Sequence, residues 1–310
     1  VLMPCYNAAK YITDAVQSVL AQSFGDFEFL IINDGSTDNT VELVRSFNDE
    51  RIVLIEQEQQ GVAAALNNGL KYARADYIAR FDADDICFTD RLEKQYEFMI
   101  SNPECIVVGS GAEYIDDSGN YIFTHFPQFI TNEEIQQLPN NPCPFIHASV
   151  MYKRDLVTNV GYNINAHSFE DHLLWLQIKD EGKMVNMPEP LINVRLNPGS
   201  LTMDERKRSK EFHLIKNKAL KEGNIGSEDG NRLLTIISRE NSSKNKMGAY
   251  YSLLAKKFLW NNYDPHKARS NMKKAIILNS FDIKDYLLLL ISYLPKNLIN
   301  NLYSKFVSAK

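Results

Sequence analysis

The sequence predicts an α/β fold: a mostly parallel, Rossmann-like sheet with helices on both faces, followed by an α-helical C-terminal region. Over residues 1–110, short apolar runs typical of buried strands alternate with segments of helical periodicity, and the joints between them are short. Parallel strands need crossover connections, and the crossover helices cover both faces of the sheet. From about Met203 onward the periodicity is helical, with breaks at Gly223, Gly230 and Pro295.

Each predicted strand is an apolar run that ends at polar or small residues. The five runs cover residues 1–4, 27–32, 52–55, 77–81 and 106–108. The helices between them are predicted to begin at Asn7 or Ala8, at Ser36 or Asp38, at Gly61 and at Arg91. Ser36 and Asp38 are both suited to a helix start, because their side-chain oxygens can accept from a free N–H of the first turn.

After residue 110 the alternation becomes less regular. The sequence predicts a turn, a short strand, a helix and two extended segments, over Asp116–Gly119, Ser149–Tyr152, Phe169–Lys179, Val185–Met187 and Ile192–Arg195. We expect this smaller region to lie across the carboxyl edge of the sheet. The predicted organisation is a domain of residues 1–202, in two parts of about 1–110 and 111–202, and a helical region of residues 203–310.

The net charge of −5 conceals two oppositely charged regions. Residues 1–202 contain 13 Lys and Arg against 29 Asp and Glu, a balance of −16, and residues 203–310 contain 21 against 10, a balance of +11. The acidic part is suited to a cation-dependent site and the basic part to an anionic surface, although solvated helix faces explain the basic part equally well. Nothing in the sequence indicates a nucleic-acid partner.

The cysteines and the apolar runs indicate the cellular compartment in which the protein is expected. The four cysteines show no paired metal-ligand spacing, which favours a reduced cytoplasm over a disulfide framework; they are Cys5, Cys87, Cys105 and Cys143. No secretion signal is recognised, and no apolar run approaches ~20 residues. We therefore expect a cytoplasmic protein without membrane spans.

One apolar run in the basic tail suggests a contact surface. Leu287–Ile291 is followed by Lys296, Lys305 and Lys310. An apolar face beside lysines can lie in a membrane interface, which would place the protein peripherally at the inner face of the cell membrane. Ordinary helix packing or a homodimer contact explains the same pattern at least as well.

Three carboxylates, Asp82, Asp84 and Asp85, directly follow the apolar run Tyr77–Phe81. Ligands of α/β sheets bind at the carboxyl ends of strands. Carboxylates this close repel one another unless a positive charge lies between them. A hard divalent cation takes oxygen ligands and commonly retains a substrate diphosphate. The structural alternative is an acidic loop before the helix at Arg91.

Two further strand ends carry polar residues. Tyr6 and Asn7 follow the first strand, and Asp34–Asp38 follows the second. An aromatic ring, a carboxylate beside a helix start and a carboxylate cluster together suit a metal–nucleotide. The ring would stack on a base, the carboxylate would accept from an imide N–H, and the cluster would neutralise a diphosphate through its cation.

Four segments carrying these residues, Met3–Ala8, Ile32–Thr40, Gly61–Gly69 and Ala79–Ile86, resemble the inverting GT-A-type nucleotide-sugar glycosyltransferases. This is family 2 of the glycosyltransferases, which includes cellulose and chitin synthases and many bacterial polysaccharide enzymes. The resemblance covers about residues 1–202. It implies a GT-A fold whose nucleotide-binding part is about 1–110 and whose acceptor part is about 111–202.

The resemblance implies roles for residues of the donor pocket. Pro4 and Tyr6 would line the nucleobase pocket, Asp34 would accept from the base, and the helix with Asn67 would back the pocket.

Asp82, Ala83 and Asp84 match the DxD element of the family. This element would contact the ribose and hold Mn²⁺ or Mg²⁺ on the diphosphate, with Asp85 as a further ligand. The cation would act as a Lewis acid on the departing nucleoside diphosphate.

Glu170 and Asp171, before an apolar helix with Trp175, resemble the Glu-Asp element of the family. By this resemblance Asp171 would be the general base for the acceptor hydroxyl, and Glu170 would orient it or contact the acceptor. The structural alternative is a carboxylate pair favoured by the helix dipole. His147 and Trp175 are candidates for the acceptor side, with a structural histidine and a core tryptophan as the alternatives.

The segment Arg195–Thr202 resembles a loop that closes over the diphosphate, and Arg195 would pair with phosphate. The sequence departs from the family pattern at three positions. Asn197 stands where a histidine is common, and Asn33 and Leu66 stand where many relatives carry an aspartate and an arginine.

The resemblance implies a metal-dependent transfer of one hexose or N-acetylhexosamine, with inversion, from a UDP-sugar to a saccharide or lipid-linked saccharide. We expect a role in synthesis of a capsule, O-antigen or exopolysaccharide. A dTDP-rhamnose-type donor is the alternative in the same class. A nucleotide-sugar-binding or scaffold protein without activity is the alternative in another, which the three departures keep open. A nucleotidyltransferase is disfavoured, because its glycine-rich, basic phosphate loop is missing near the first strand.

Overall fold

The computed structural model describes residues 1–139, 142–199, 208–240, 243–278 and 283–308. The chain forms two compact units. The first consists of residues 1–113, 124–194 and 211–233, and the second of residues 114–123, 195–210 and 234–310. Residues 211–233 thus belong to the first unit, although they lie beyond position 202, where the sequence analysis ends its first domain.

The described residues contain nine strands and thirteen α-helices. The strands are β1 (Leu2–Cys5), β2 (Phe29–Asp34), β3 (Ile52–Gln57), β4 (Tyr77–Ala79), β5 (Ile86–Cys87), β6 (Cys105–Ile115), β7 (Tyr121–His125), β8 (Met151–Lys153) and β9 (Lys183–Arg195). The helices are α1 (Ile12–Leu20), α2 (Thr40–Arg45), α3 (Val62–Tyr72), α4 (Arg91–Ser101), α5 (Asn132–Gln136), α6 (Arg154–Val160), α7 (Glu170–Ile178), α8 (Lys210–Glu222), α9 (Ser227–Glu240), α10 (Ser243–Trp260), α11 (Pro265–Leu278), α12 (Ile283–Ile291) and α13 (Lys296–Ser308).

The five strands predicted within residues 1–110 all run in one direction. β1, β2 and β3 pair in parallel, and a parallel bridge between Leu2 and Arg80 places the end of β4 beside β1. β8 pairs antiparallel with both β4 and β6, so β4 and β6 also run in the same direction. The predicted α/β fold class of GT-A type is therefore confirmed, with β8 inserted between two strands that run the same way.

Residues that alternate along the strands enter two different hydrophobic clusters. Ile78 and Val107 belong to the cluster that contains the apolar residues of α3, whereas Ala79 and Val108 belong to the cluster that contains those of α4. Because successive side chains of a strand point to opposite faces, the two clusters lie on opposite sides of the sheet. The prediction of helices on both faces is confirmed.

The region after β6 differs from its prediction in its two extended segments. The two extended segments expected near residues 185 and 195 form one strand, β9, which pairs antiparallel with the two-residue strand β5. β9 contains Pro188 and Pro190, which lack a backbone N–H. Since residues two apart present their N–H groups to the same side, the other side of the strand keeps its donors.

The second unit is helical. Its hydrophobic cluster joins α10, α11, α12 and α13 to β7, through residues such as Phe123, Leu254, Phe258 and Met272. The turn predicted at Asp116–Gly119 is confirmed: Asp116 accepts from the N–H groups of Ser118 and Asn120. None of the described helices is long and apolar enough to cross a membrane.

Candidate active site

Three carboxylates meet at the carboxyl end of β4. One oxygen from each of Asp82, Asp84 and Asp85 lies within 4.8 Å of the other two. Asp85 is buried and the other two side chains are half-buried. Carboxylate oxygens are the ligands that hard divalent cations take, and a cation there would relieve the repulsion among three negative charges. The donor set and its spacing therefore fit Mn²⁺ or Mg²⁺.

Arg80, two residues before the cluster, is a buried cation. Its side chain is 5% exposed, and its Nη1 donates to Oδ2 of Asp82 at 2.5 Å. Burial opposes the charge on the guanidinium, but the carboxylates of Asp82 and Glu170 raise the pKa of Arg80 overall. Sequence analysis gave Arg80 no role, although a charged residue inside an apolar strand was a signal for one.

The loops after β1 and β2 are joined by hydrogen bonds. The N–H of Asn7 donates to Oγ of Ser36 at 2.9 Å, and Oδ1 of Asn7 accepts from the N–H of Thr37 at 2.8 Å. Asn7 has a φ of 48°, a left-handed conformation that asparagine tolerates better than most residues. This junction leaves the ring of Tyr6 44% exposed, while Pro4 is buried in β1 opposite Ile32.

Asp34, at the end of β2, is buried and accepts three hydrogen bonds from the end of β3 and the segment after it. Its Oδ1 accepts from Nε2 of Gln57 at 2.7 Å and from the N–H of Gln60 at 2.8 Å, and its Oδ2 accepts from the N–H of Gly61 at 2.8 Å. Asp34 therefore holds the loop that leads into α3. A carboxylate offers about four acceptor positions, so Oδ2 retains one for a ligand.

Asn67 on α3 makes two hydrogen bonds with the backbone of one residue. Its Nδ2 donates to the carbonyl of Tyr162, and its Oδ1 accepts from the N–H of Tyr162, both at 2.8 Å. These bonds fix the chain after Gly161, whose φ of 72° favours glycine. The side chain thus joins the two predicted parts of the first domain.

The carboxylates of Glu170 and Asp171 begin α7. Glu170 is 8% exposed and its Oε2 has no hydrogen-bond partner, whereas Asp171 is half-buried, with the thiol of Cys143 at 3.9 Å from its Oδ2. Burial and the charge of Asp171 raise the pKa of Glu170 to about 7, and burial also raises the pKa of Asp171. A carboxylate with a raised pKa is a stronger base, which suits proton abstraction near neutral pH.

Lys216 on α8 brings a second cation to this pair. The side chain is 5% exposed, and its Nζ lies 5.7 Å from the ring centroid of Phe169, the residue before Glu170. The positive charges of Arg80 and Lys216 oppose the rise in the pKa of Asp171. Sequence analysis missed Lys216, since it lies 45 residues beyond Asp171 in a segment assigned to the basic tail.

His147 and Trp175 are both engaged by neighbouring side chains. His147 is hydrogen-bonded through Nε2 to the hydroxyl of Tyr162 at 3.1 Å, and burial with the charge of Arg80 holds its pKa well below the ordinary value. Trp175 is 1% exposed and packs in the core against Phe145, at 5.6 Å between ring centroids. Trp175 therefore presents no ring face to an acceptor in this structure.

Arg195 and Asn197 belong to the second unit. Arg195, the last residue of β9, is buried, and its Nη1 donates to the carbonyl of Asp117 at 3.4 Å. Oδ1 of Asn197 accepts from the N–H of Gly199 at 2.7 Å, which shapes the start of the predicted diphosphate loop. Residues 200–202 of that loop lie outside the described residues.

A cavity of about 610 Å³ lies at the other edge of the sheet, at the amino ends of β1, β2 and β4. Its lining includes Val1, Glu28 and Tyr77. Ligands of α/β sheets bind at carboxyl ends, so this cavity is not the candidate site.

The fold is of the GT-A type, and a carboxylate cluster follows β4 at the sheet edge where ligands of α/β folds bind. Residues 1–161 match the model of the family described as Glycosyl transferase family 2. The chain belongs to this family.

Two curated relatives support this assignment. An uncharacterized glycosyltransferase of Rickettsia felis is 34% identical over 211 residues, which are 67% of this chain and 35% of that protein. The chain thus spans about a third of the length of that relative. The amylovoran biosynthesis glycosyltransferase AmsE of Erwinia amylovora is 31% identical over 201 residues, which are 63% of this chain and 75% of AmsE.

Two solved structures have a similar fold. The S. aureus TarS fragment 1–349, in complex with UDP, aligns with a TM-score of 0.53 and 15% identity over 100% of this chain and 91% of that chain. The mannosyltransferase PcManGT of Pyrobaculum calidifontis, in complex with GDP-Man and Mn²⁺, aligns with a TM-score of 0.54 and 17% identity over 91% of this chain and 86% of that chain.

Proposed function

We propose that the protein transfers a single hexose or N-acetylhexosamine from a UDP-sugar to a hydroxyl of a saccharide acceptor, with inversion, in the synthesis of a cell-surface polysaccharide. The observation that carries the proposal is that two sets of carboxylates lie around Arg80, the cluster after β4 and the pair at the start of α7. This buried guanidinium pairs with Asp82 of the cluster, and its charge also acts on Glu170 and Asp171. The transfer requires a diphosphate-binding site and a basic carboxylate close to each other.

The donor is held by residues at the strand ends. Tyr6 provides the exposed ring for the base, Asp34 the remaining acceptor position, and Pro4 with the α3 residue Asn67 the wall behind them. Asp82, Asp84 and Asp85 would hold Mn²⁺ or Mg²⁺, which when bound supplies positive charge to the departing nucleoside diphosphate. Arg80 fixes Asp82, and so orients the cluster.

Asp171 acts as the base toward the acceptor. Its carboxylate takes the proton of the acceptor hydroxyl as that oxygen forms a bond to the anomeric carbon. The bond from this carbon to the diphosphate oxygen breaks on the opposite face, and its electron pair leaves with the nucleoside diphosphate. One displacement inverts the anomeric centre. Burial raises the pKa of Asp171, which makes its carboxylate a stronger base, and Glu170 lies beside it in the sequence.

The donor is the least determined part of the proposal. UDP is supported by the TarS complex and GDP by the mannosyltransferase complex, both of which resemble this chain in fold. A dTDP-sugar is the further alternative. A protein without activity would bind a nucleotide in the same pocket but release no sugar, so binding and turnover have to be measured separately.

The first experiment is thermal unfolding with UDP, GDP, dTDP or CDP, each with Mn²⁺ and with EDTA. A ligand at about 100 times its dissociation constant stabilises the folded state by about 2.7 kcal/mol. We expect a shift with UDP that requires Mn²⁺. Asp84→Asn should lower the affinity for the metal by at least ~10–100-fold, the usual cost of losing an outer-shell partner, and so reduce the metal-dependent thermal shift.

Glu97→Gln is the matched control, since Glu97 is an exposed carboxylate on α4 in the same unit. It should leave the shift unchanged. Equal shifts in Mn²⁺ and EDTA would contradict the role of the cluster, and the absence of a shift with every nucleotide would contradict the donor pocket.

A further inference from the structure

The second unit exposes a continuous set of large apolar side chains, which we name the apolar stripe. It lies on α12, on the turn after it and on the first turn of α13, and its members are 37–81% exposed: Ile283, Tyr286, Leu287, Leu290, Tyr293, Leu294 and Leu298. On α12 they are three or four residues apart, which places them on one face of the helix. Asp285 and Leu288, on the other face, are buried.

Among the described side chains of α11, α12 and the first turns of α13, the exposed charges are all basic. Between residues 265 and 302, the described side chains include a single acid, Asp285, which is 1% exposed and accepts from Oγ of Ser252 at 2.6 Å. The same span contains six cations: Lys267, Arg269, Lys273, Lys274, Lys284 and Lys296. In the sequence, Lys305 and Lys310 add to these cations and Asp282 is a further acid, but Asp282, Lys310 and the side chain of Lys305 lie outside the described residues.

One cation lies against the stripe itself. The guanidinium of Arg269 is 4.7 Å from the ring centroid of Tyr293, and its Nη1 donates to the carbonyl of Ser292 at 2.8 Å. Apolar and cationic groups therefore share one surface. This combination is typical of segments that lie in the headgroup region of an anionic bilayer, with leucines among the acyl chains and lysines at the lipid phosphates.

A second copy of the chain fits this surface less well. A symmetric dimer through the stripe would bring two sets of lysines together with no exposed acid between residues 265 and 302, among the described side chains, to pair with them. Like charges facing each other across an interface disfavour the complex. An anionic lipid surface covers the leucines and neutralises the lysines at once.

We propose that the apolar stripe, with its surrounding lysines, docks the second unit on the surface of an anionic lipid bilayer. The helices involved are too short and too charged to span it. Membrane docking does not depend on the proposed transfer reaction, and flotation measures it without an enzymatic assay.

The test is flotation of the full chain with vesicles of phosphatidylcholine, alone or mixed with phosphatidylglycerol. The protein should float with the mixed vesicles at low salt, lose binding at high salt, and ignore the neutral vesicles. Leu290→Ser should lower the partition coefficient about tenfold through lost apolar insertion. Lys273→Glu should lower it at least about tenfold through reversed charge.

Each variant has a matched control in the first unit. Leu214 is 69% exposed, as is Leu290, and Lys71 is exposed as Lys273 is. Leu214→Ser and Lys71→Glu should float like the wild type, and circular dichroism should show all four variants folded. The proposal is overturned if the wild type fails to float with anionic vesicles at low salt. It is also overturned if the controls lose as much binding as the stripe variants, or if light scattering shows that Leu290→Ser converts a dimer into a monomer.

Discussion

The two units handle charge in opposite ways. In the first unit, Arg80, Glu170 and Lys216 are each no more than 8% exposed. The charge of Arg80 acts on Glu170 and Asp171, and the charge of Lys216 acts on Asp171. In the second unit, lysines such as Lys273 and Lys284 are exposed around an apolar stripe. Charges in low dielectric interact strongly and shift pKa values, whereas exposed charges are screened. The first arrangement suits chemistry and the second suits attachment to a surface.

The comparison also shows what the sequence-level charge split conceals. The change from acidic to basic composition falls near residue 202, but the residues beyond it are divided between the two units. Residues 211–233 belong to the first unit, where Phe212 and Ile215 of α8 are buried. Lys216 lies in the basic part of the sequence, but in the structure it lies beside the candidate site. Charge counted along a chain reports average composition, while membership of a unit is decided by which apolar faces pack together.

The largest expected effect is on turnover in the first unit. Asp171→Asn removes the proposed base while keeping its shape, so turnover should fall by about 10²–10⁴-fold, the usual contribution of general base catalysis. Nucleotide binding should persist, because the donor site lies at other strand ends. The measurements are the transfer rate and the UDP-dependent thermal shift.

Asp180→Asn is the control for this substitution. Asp180 is an exposed carboxylate just past the end of α7, and its replacement should leave the rate unchanged. If Asp171→Asn retained wild-type turnover, the base would have to be another group, with Glu170 the next to test. Loss of turnover and nucleotide binding together would point instead to a damaged fold.

The fold was more predictable than the site. Buried strands show apolar runs that end in polar residues, so the five predicted strands and the carboxylates at the end of β4 were visible in the sequence. The two-residue strand β5 is too short to give a pattern, and Pro188 and Pro190 hid the continuity of β9. Lys216 could not be assigned because its neighbour Phe169 is distant in sequence, and local periodicity carries no information about such a pair.

A smaller effect is expected on stability, through the buried carboxyl of Glu170. Its pKa rises on folding from an ordinary value of 4.5 to about 7. Between those values the folded protein binds more protons than the unfolded chain, so stability falls as pH rises from about 4.5 to 7. Glu170→Gln has no such titration. The variant should therefore match the wild type at pH 4 and exceed its unfolding free energy by roughly 3 kcal/mol above pH 7.

Urea unfolding at pH 4 and pH 8 in EDTA measures this difference. Lys273→Gln in the second unit is the control, since an exposed substitution should change stability by no more than about 0.5 kcal/mol at either pH. A Glu170→Gln variant that is less stable than the wild type at pH 8 would show that the carboxylate has partners that compensate its burial.

The smallest effect is expected for Lys216, a buried cation from the basic part of the sequence. Its cation opposes the rise in the pKa of Asp171, so Lys216→Met should raise that pKa further. The base must be deprotonated to act, so the acid limb of the kcat/KM profile should move to higher pH. The rate on the acid side of the profile should then fall, with little change at high pH.

Lys216→Arg keeps the charge and should restore the profile. Lys221→Met, an exposed position on the same helix, should leave it unmoved. A uniform loss of rate at every pH would mean that Lys216 acts only through packing on Phe169. A shift confined to the acid limb would mean that a cation from the basic C-terminal part of the sequence tunes the base. The role of a charged residue would then depend on its burial and not on its position along the chain.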